Sequence, residues 1–251
     1  MGNGKVYFVG AGPGDSGLIT LKGRTLIETA DVILYDRLVN SRLLEHAKAS
    51  CEFVYCGKLP DRHYMKQSEI NALLIEKGLK GLKVVRLKGG DPSVFGRVGE
   101  EAAAVSEHGI PYEMVPGITS GIAAPLYAGL PVTHRDFASS FAVVTAHDKS
   151  GKPEMNWEGL AKGVQTLVFY MGIKNLGYIC EQLMKHGKSP LVPAMVIQWG
   201  TWGRQRSVKG TLQNIREKIT EHQIKNPAII VIGDIVSVSY THLRAHETGR
   251  N

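Results

Sequence analysis

Short β-branched runs alternate with longer amphipathic ones along nearly the whole chain, and that alternation confines it to a layered α/β fold. Strands are expected at 5–9, 32–35, 84–87 and 112–115, with an apolar stretch at 51–55. Helices are expected at 21–30, 41–47, 67–77 and 98–107. Gly78 stands where a glycine closes a helix C-terminus. Pro116-Gly117 is the strongest break, and beyond it the alternation restarts. Helices are expected there at 120–128, 176–186 and 212–222, and strands at 141–145, 167–171, 194–198 and 228–232. The reading is two α/β domains, 1–116 and 117–239, with a ligand site in the cleft between them. Residues 240–251 hold two His, two Arg and no apolar period, as a frayed terminus or a foreign tail would.

Composition removes several classes of function. No apolar run approaches the ~20 residues of a membrane span. The N-terminus lacks the apolar region of a signal peptide. A cytoplasmic protein with no membrane partner is therefore expected. Cys51, Cys56 and Cys180 form no C-x-x-C pair, which argues against a disulfide scaffold and a zinc knuckle, and no metal is expected. The net charge is +7, from 30 Lys and Arg against 23 Asp and Glu, but the basic residues form no block. That spacing speaks against nucleic acid and leaves an acidic small molecule, or solubility alone, as the reason for the surplus.

Three glycine turns carry the chemistry. The first is Gly10-Ala11-Gly12-Pro13-Gly14-Asp15, directly after a strand. Gly12, Gly14 and Gly17 satisfy G-x-G-x-x-G, and Asp36 ends the second strand about where a dinucleotide fold keeps its ribose acid. Against a dinucleotide, Pro13 supplies no N–H, and Asp15 would repel a phosphate at the helix start. Taken alone, the motif is either a nucleotide site or a plain turn. The second turn, Leu87-Lys88-Gly89-Gly90-Asp91-Pro92, closes a strand and offers a carboxylate to hydroxyls or a cation, or is only a strand-to-helix connection. The third, Pro116-Gly117-Ile118-Thr119-Ser120, feeds a helix whose first N–H groups are free, or is only a hinge.

In this order, with Tyr35-Asp36-Arg37-Leu38-Val39 and Phe95-Gly96-Arg97 between them, the turns closely resemble the tetrapyrrole methylase family. The resemblance runs from about residue 5 to 236, and Tyr170-Met171-Gly172 and Gly200-Thr201 match two further family positions. It implies a methyl transfer from S-adenosylmethionine, bound between two α/β domains, to a reduced tetrapyrrole bearing several carboxylates, with S-adenosylhomocysteine as product. Pro13, Gly89, Gly90, Asp91, Val94, Thr119, Ser120, Met171 and Gly200 fall on the family's cofactor positions, Ser120 replacing a common alanine. The family's proton acceptor matches Asp36, its donor Lys58, and Arg86 lies on an arginine of the same site. His63 lies on the substrate side, and Arg37 and Arg97, with Lys88, are further basic residues for an acidic substrate. Asp36 is either a true base or a group that orients a pyrrole N–H. A homodimer is the family expectation.

Three rival readings remain. A related methylase acting on another corrin intermediate, or on diphthamide, shares the cofactor motifs, although Asp36-Arg37-Leu38-Val39 and Gly57-Lys58 speak against it. A dehydrogenase on the G-x-G-x-x-G register would leave the second and third turns without a purpose. A non-catalytic basic binding protein would explain the charge and none of the glycines.

Overall fold

The computed structural model describes residues 4–57, 65–146 and 153–238. The chain divides between Thr119 and Ser120 into two compact units. Pro116-Gly117 stays with the first of them, because the Gly117 N–H donates to Asp91 at 3.0 Å.

The first unit runs β1 (Lys5–Gly10), α1 (Leu21–Thr29), β2 (Val32–Tyr35), a 3-10 turn (Ser41–His46), β3 (Glu52–Tyr55), α2 (Gln67–Leu79), β4 (Lys83–Lys88), α3 (Val98–Glu107) and β5 (Tyr112–Val115). Its five strands are parallel, in the order β3-β2-β4-β1-β5. A parallel sheet is covered on both faces, so its strands must be apolar on both. Val6, Phe8, Val32, Leu34 and Val84 pack with Ile70 and Leu74 of α2 and with Ala102 and Val105 of α3. Their neighbours Val9, Ile33, Val85 and Leu87 face Leu26 and Ile27 of α1 and Leu43 of the 3-10 turn.

The second unit contains α4 (Ser120–Tyr127), β6 (Phe141–Thr145), α5 (Trp157–Gly163), β7 (Thr166–Tyr170), α6 (Leu176–Lys185), β8 (Pro193–Gln198), β9 (Arg206–Thr211), α7 (Ile215–Glu221) and β10 (Ala228–Ile232). Its sheet is mixed, in the order β6-β7-β10-β8-β9. Only β6 and β7 run parallel. Leu167, Phe169, Val196 and Ile230 pack with Leu176, Ile179 and Ile215, while Val168, Met195, Ile197 and Val231 face Ala124 and Leu130.

Several sequence expectations shift. Gly78 does not end α2. It is buried within the helix, where a Cβ would approach Ile110 Cγ2 to 2.9 Å, and Gly81, at φ +79°, takes the left-handed position beyond it. Residues 41–46 wind as 3-10 rather than α, with the Asn40 side chain accepting from the Arg42 N–H. The helix expected at 212–222 begins only at Ile215, because Asn214 accepts from the Thr211 N–H and holds residues 211–214 in a turn. Two elements have no counterpart in the reading: α5 is a seven-residue helix, and β9 is an edge strand with Val208 as its only buried residue. The 240–251 tail lies outside the described residues.

Candidate active site

In the first unit, the turns after β1, β2, β4 and β5 are tied together at the carboxyl ends of the strands. Gly12 and Gly90 exchange backbone hydrogen bonds, Gly12 N to Gly90 O at 3.2 Å and Gly90 N to Gly12 O at 2.7 Å. A Cβ on Gly10 would meet the Gly117 backbone at 2.5 Å and Gly90 O at 2.8 Å, so these backbones approach closely only as glycines. Asp91 joins the same knot. One carboxylate oxygen accepts from the N–H and hydroxyl of Ser93 at 2.8 and 2.5 Å, the other from Gly117. Asn40 donates to Gly14 O at 2.7 Å, which ties the Pro13 turn to the segment after β2.

The strand order disposes of the dinucleotide register. A ribose acid must sit on the strand beside the phosphate turn, as it does in the 3-2-1 order of a Rossmann sheet. Here β4 separates β1 from β2, so Asp36 neighbours the turn after β4 rather than the one after β1. A Cβ on Gly89 would press on Leu38 at 2.9 Å and lie 3.7 Å from the Asp36 carboxylate. The Gly12 N–H is taken by Gly90, and Asp15 caps the next turn by accepting from Gly17 N at 2.8 Å.

Asp36 is partly exposed, and one of its carboxylate oxygens accepts from the Leu38 N–H at 2.9 Å. Beneath it lies a charged cluster that the sequence reading did not assemble. Glu101 of α3 is fully buried. It accepts from Arg86 Nε at 3.3 Å, Lys88 Nζ at 2.8 Å and Gln67 Nε2 at 3.2 Å. The Arg86 guanidinium also reaches Leu34 O and Leu87 O at 3.5 and 3.4 Å. Burial, and then the repulsion of Arg86, lowers the Lys88 ammonium below the ordinary lysine range, against the opposing pull of Glu101. The Cys56 thiol is pushed up by burial in the same place.

In the second unit the family positions gather around α4. The Tyr170 hydroxyl accepts from the Gly121 N–H, and a Cβ on Gly200 would overlap Ala124. Met171 is exposed, and its φ of +54° is unusual for a residue with a side chain.

The first unit therefore brings together Pro13, Asp36, Gly89, Gly90 and Asp91, with Arg86 beneath, while Ser120 and Gly200 share α4 in the second. Arg37 is exposed. Arg97 is exposed and forms two hydrogen bonds to Glu100, at 2.8 and 2.6 Å. Lys58 and His63 lie outside the described residues, although Gly57 just before them sits against the Tyr55 ring and the Arg37 backbone. Glu101 and Gln67 were missed. A signal was available for Glu101, which stands with Val98, Ala102 and Val105 on the apolar stripe of α3, where a carboxylate needs a buried partner.

Glycine turns knotted at the carboxyl end of a parallel sheet in a non-Rossmann order form a candidate small-molecule site. The chain belongs to the tetrapyrrole (corrin/porphyrin) methylases, whose pattern it matches over residues 5–216. It is 76% identical to a uroporphyrinogen-III C-methyltransferase of Bacillus subtilis over 94% of its own length and 50% of that protein. It is 58% identical to the Priestia megaterium protein of the same name, over 94% of this chain and 100% of that one. It thus spans half of the first relative and all of the second. A Thermus thermophilus uroporphyrin-III C-methyl transferase solved with S-adenyl homocysteine matches with a TM-score of 0.80 and 40% identity, over 94% of this chain and 100% of that one.

Proposed function

We propose that the chain is an S-adenosylmethionine-dependent C-methyltransferase that methylates uroporphyrinogen III twice, giving precorrin-2 and two molecules of S-adenosylhomocysteine. The observation that carries this reading is the approach of Asp36 to the Gly89-Gly90 turn, which the Gly12–Gly90 backbone bonds tie to the turn after β1. The residues fit the cofactor. Its hydroxyls, ammonium and carboxylate call for close approach to a backbone without side chains and for small polar groups, as Gly89, Gly90, Thr119 and Ser120 supply.

S-adenosylmethionine supplies an electrophilic methyl group on sulfur. A pyrrole carbon is already an enamine-like nucleophile, so the chain needs no covalent intermediate. Its work is alignment, exclusion of water and handling of the proton released after transfer. In this reading Asp36 accepts that proton and Lys58 donates one. Arg86, buried under the β2 and β4 carbonyls, acts through its neighbours rather than on the substrate. Pro13, Gly89, Gly90, Asp91, Val94, Thr119, Ser120, Met171 and Gly200 contact the cofactor. Arg37, His63 and Arg97 face substrate carboxylates, Arg97 on exchange of its Glu100 partner. A cytoplasmic homodimer is the proposed state, which light scattering on the purified protein checks.

Anaerobic incubation with uroporphyrinogen III and S-adenosylmethionine, followed by absorbance and mass spectrometry, tests the activity. Two methyl additions are expected. No addition to uroporphyrinogen III, with turnover of a later corrin precursor instead, would reassign the substrate within the family.

A further inference from the structure

The Arg86–Glu101–Lys88 cluster has a composition that packing alone does not call for. Alternation along β4 points Val84, Arg86 and Lys88 to the same face of the sheet, the face that α2 and α3 cover. The α3 stripe of Val98, Glu101, Ala102 and Val105 meets that face, and at its second position an apolar residue would complete the core. Instead the chain buries one carboxylate against two cations. Burying charge is unfavourable unless it is paired, and one carboxylate neutralises only one of the two.

Lys88 donates to one Glu101 oxygen at 2.8 Å, while Arg86 of the same strand and the neutral Gln67 of α2 donate to the other. Asp36, after β2, is a further carboxylate whose charge acts on Lys88, and the Cys56 thiol after β3 lies in the field of the same groups. Lys88 also supports the next loop: a Cβ on Gly96 would lie 3.3 Å from Lys88 Cε, so the turn carrying Asp91 and Val94 rests on this side chain.

We propose that Glu101 is a positioning residue for methyl transfer: by clamping Arg86 and Lys88 below the carboxyl ends of β2 and β4, it holds in place the strand ends that carry Asp36 and the Gly89-Gly90-Asp91 turn. Glu101 touches neither substrate nor cofactor in this arrangement. The inference rests on the methyltransferase reading above.

Removing the Glu101 charge leaves Lys88 with the burial and the Arg86 repulsion that already lower it, and without the stronger of the two anions that raise it. Lys88 then loses its proton at lower pH. The charged contact that steadies the end of β4 is lost there, and the alkaline limb of the rate profile moves toward neutrality.

The test compares wild type, Glu101→Gln, and the double variant Glu101→Gln/Lys88→Met, which removes one anion and one cation together. S-adenosylhomocysteine affinity and melting temperature are recorded for each beside the pH–rate profile. Glu101→Gln is expected to lower kcat by roughly tenfold or more, with KM for S-adenosylmethionine within about threefold, and to shift the alkaline limb to lower pH. The double variant lacks both ends of the Lys88–Glu101 contact and is expected to stay as slow as Glu101→Gln while losing the shift. A Glu101→Gln enzyme with wild-type kcat and pH profile would overturn the inference. So would parallel losses of stability, S-adenosylhomocysteine binding and activity that Lys88→Met relieves together, since they describe only an unpaired buried charge. A wild-type chain inactive on uroporphyrinogen III would instead overturn the underlying reading, and the inference with it.

Discussion

Asp36 occupies a position where two roles predict different numbers. Its carboxylate accepts from the Leu38 N–H, and an asparagine can make the same bond. Asp36→Asn therefore keeps the turn and removes the base. Turnover is expected to fall by ~10² or more, with S-adenosylhomocysteine affinity within about threefold. Initial rates and calorimetric titration check this, and a loss below about tenfold would leave Asp36 as an orienting group. A second residue-scale prediction concerns acid stability. Lys22 and then Lys5 hold the Glu113 carboxyl down, from 4.5 to about 2. A depressed carboxyl stabilises the fold above its unfolded value and loses that contribution as pH falls through the folded one. The melting-temperature gap between wild type and Glu113→Gln should therefore narrow between about pH 4.5 and about pH 2. Because the three side chains are all partly exposed to solvent, the gap should also shrink with added salt.

At the scale of elements, the three turns function as one object. Gly117 shows why: a Cβ there would overlap Gly90 O and lie 2.7 Å from the Gly10 Cα, and backbone cannot swing aside as a side chain can. Gly117→Ala is expected to destabilise the protein by ~1–3 kcal/mol in urea titration. It should also weaken S-adenosylhomocysteine binding by about tenfold or more, because the displaced strand ends carry Gly89, Gly90 and Asp91. Unchanged affinity would separate the knot from the ligand site. Most elements could be read directly from the chain, since β2 and β10 are apolar runs and β1 is nearly so, with turns at their ends. Those that escaped had weak signals for physical reasons. β9 has one buried residue because it is an edge strand with one neighbour, and α5 is too short for its apolar face to repeat.

At the scale of the whole molecule, the surplus of +7 is not one electropositive surface. Arg86 and Lys88 spend their charge on Glu101, and Arg97 is bonded to Glu100, while Arg37 is exposed. If the remaining cations capture a polycarboxylate, kcat/KM for the tetrapyrrole should fall several-fold between about 0.05 and 0.5 M salt. S-adenosylhomocysteine binding should change little, because that ligand carries little net charge. Salt-indifferent kcat/KM would assign the surplus to solubility.

The sequence by itself determined the layered α/β class, the restart near residue 117 and the three glycine turns. These follow from local periodicity and from backbone conformations that only glycine adopts cheaply. It also contained Asp36, Arg86 and Lys88, but as residues 50 positions apart on strands whose order no local signal specifies. Only the tertiary structure decided that β4 lies between β1 and β2. That single fact turns an apparent dinucleotide fingerprint into a different site, because it places Gly89 rather than Gly12 beside Asp36. The same insertion sets Arg86 and Lys88 opposite Glu101 of the following helix. Strand order is settled by how whole faces bury against α2 and α3, and the pairing of buried charges follows from that order rather than from neighbouring sequence.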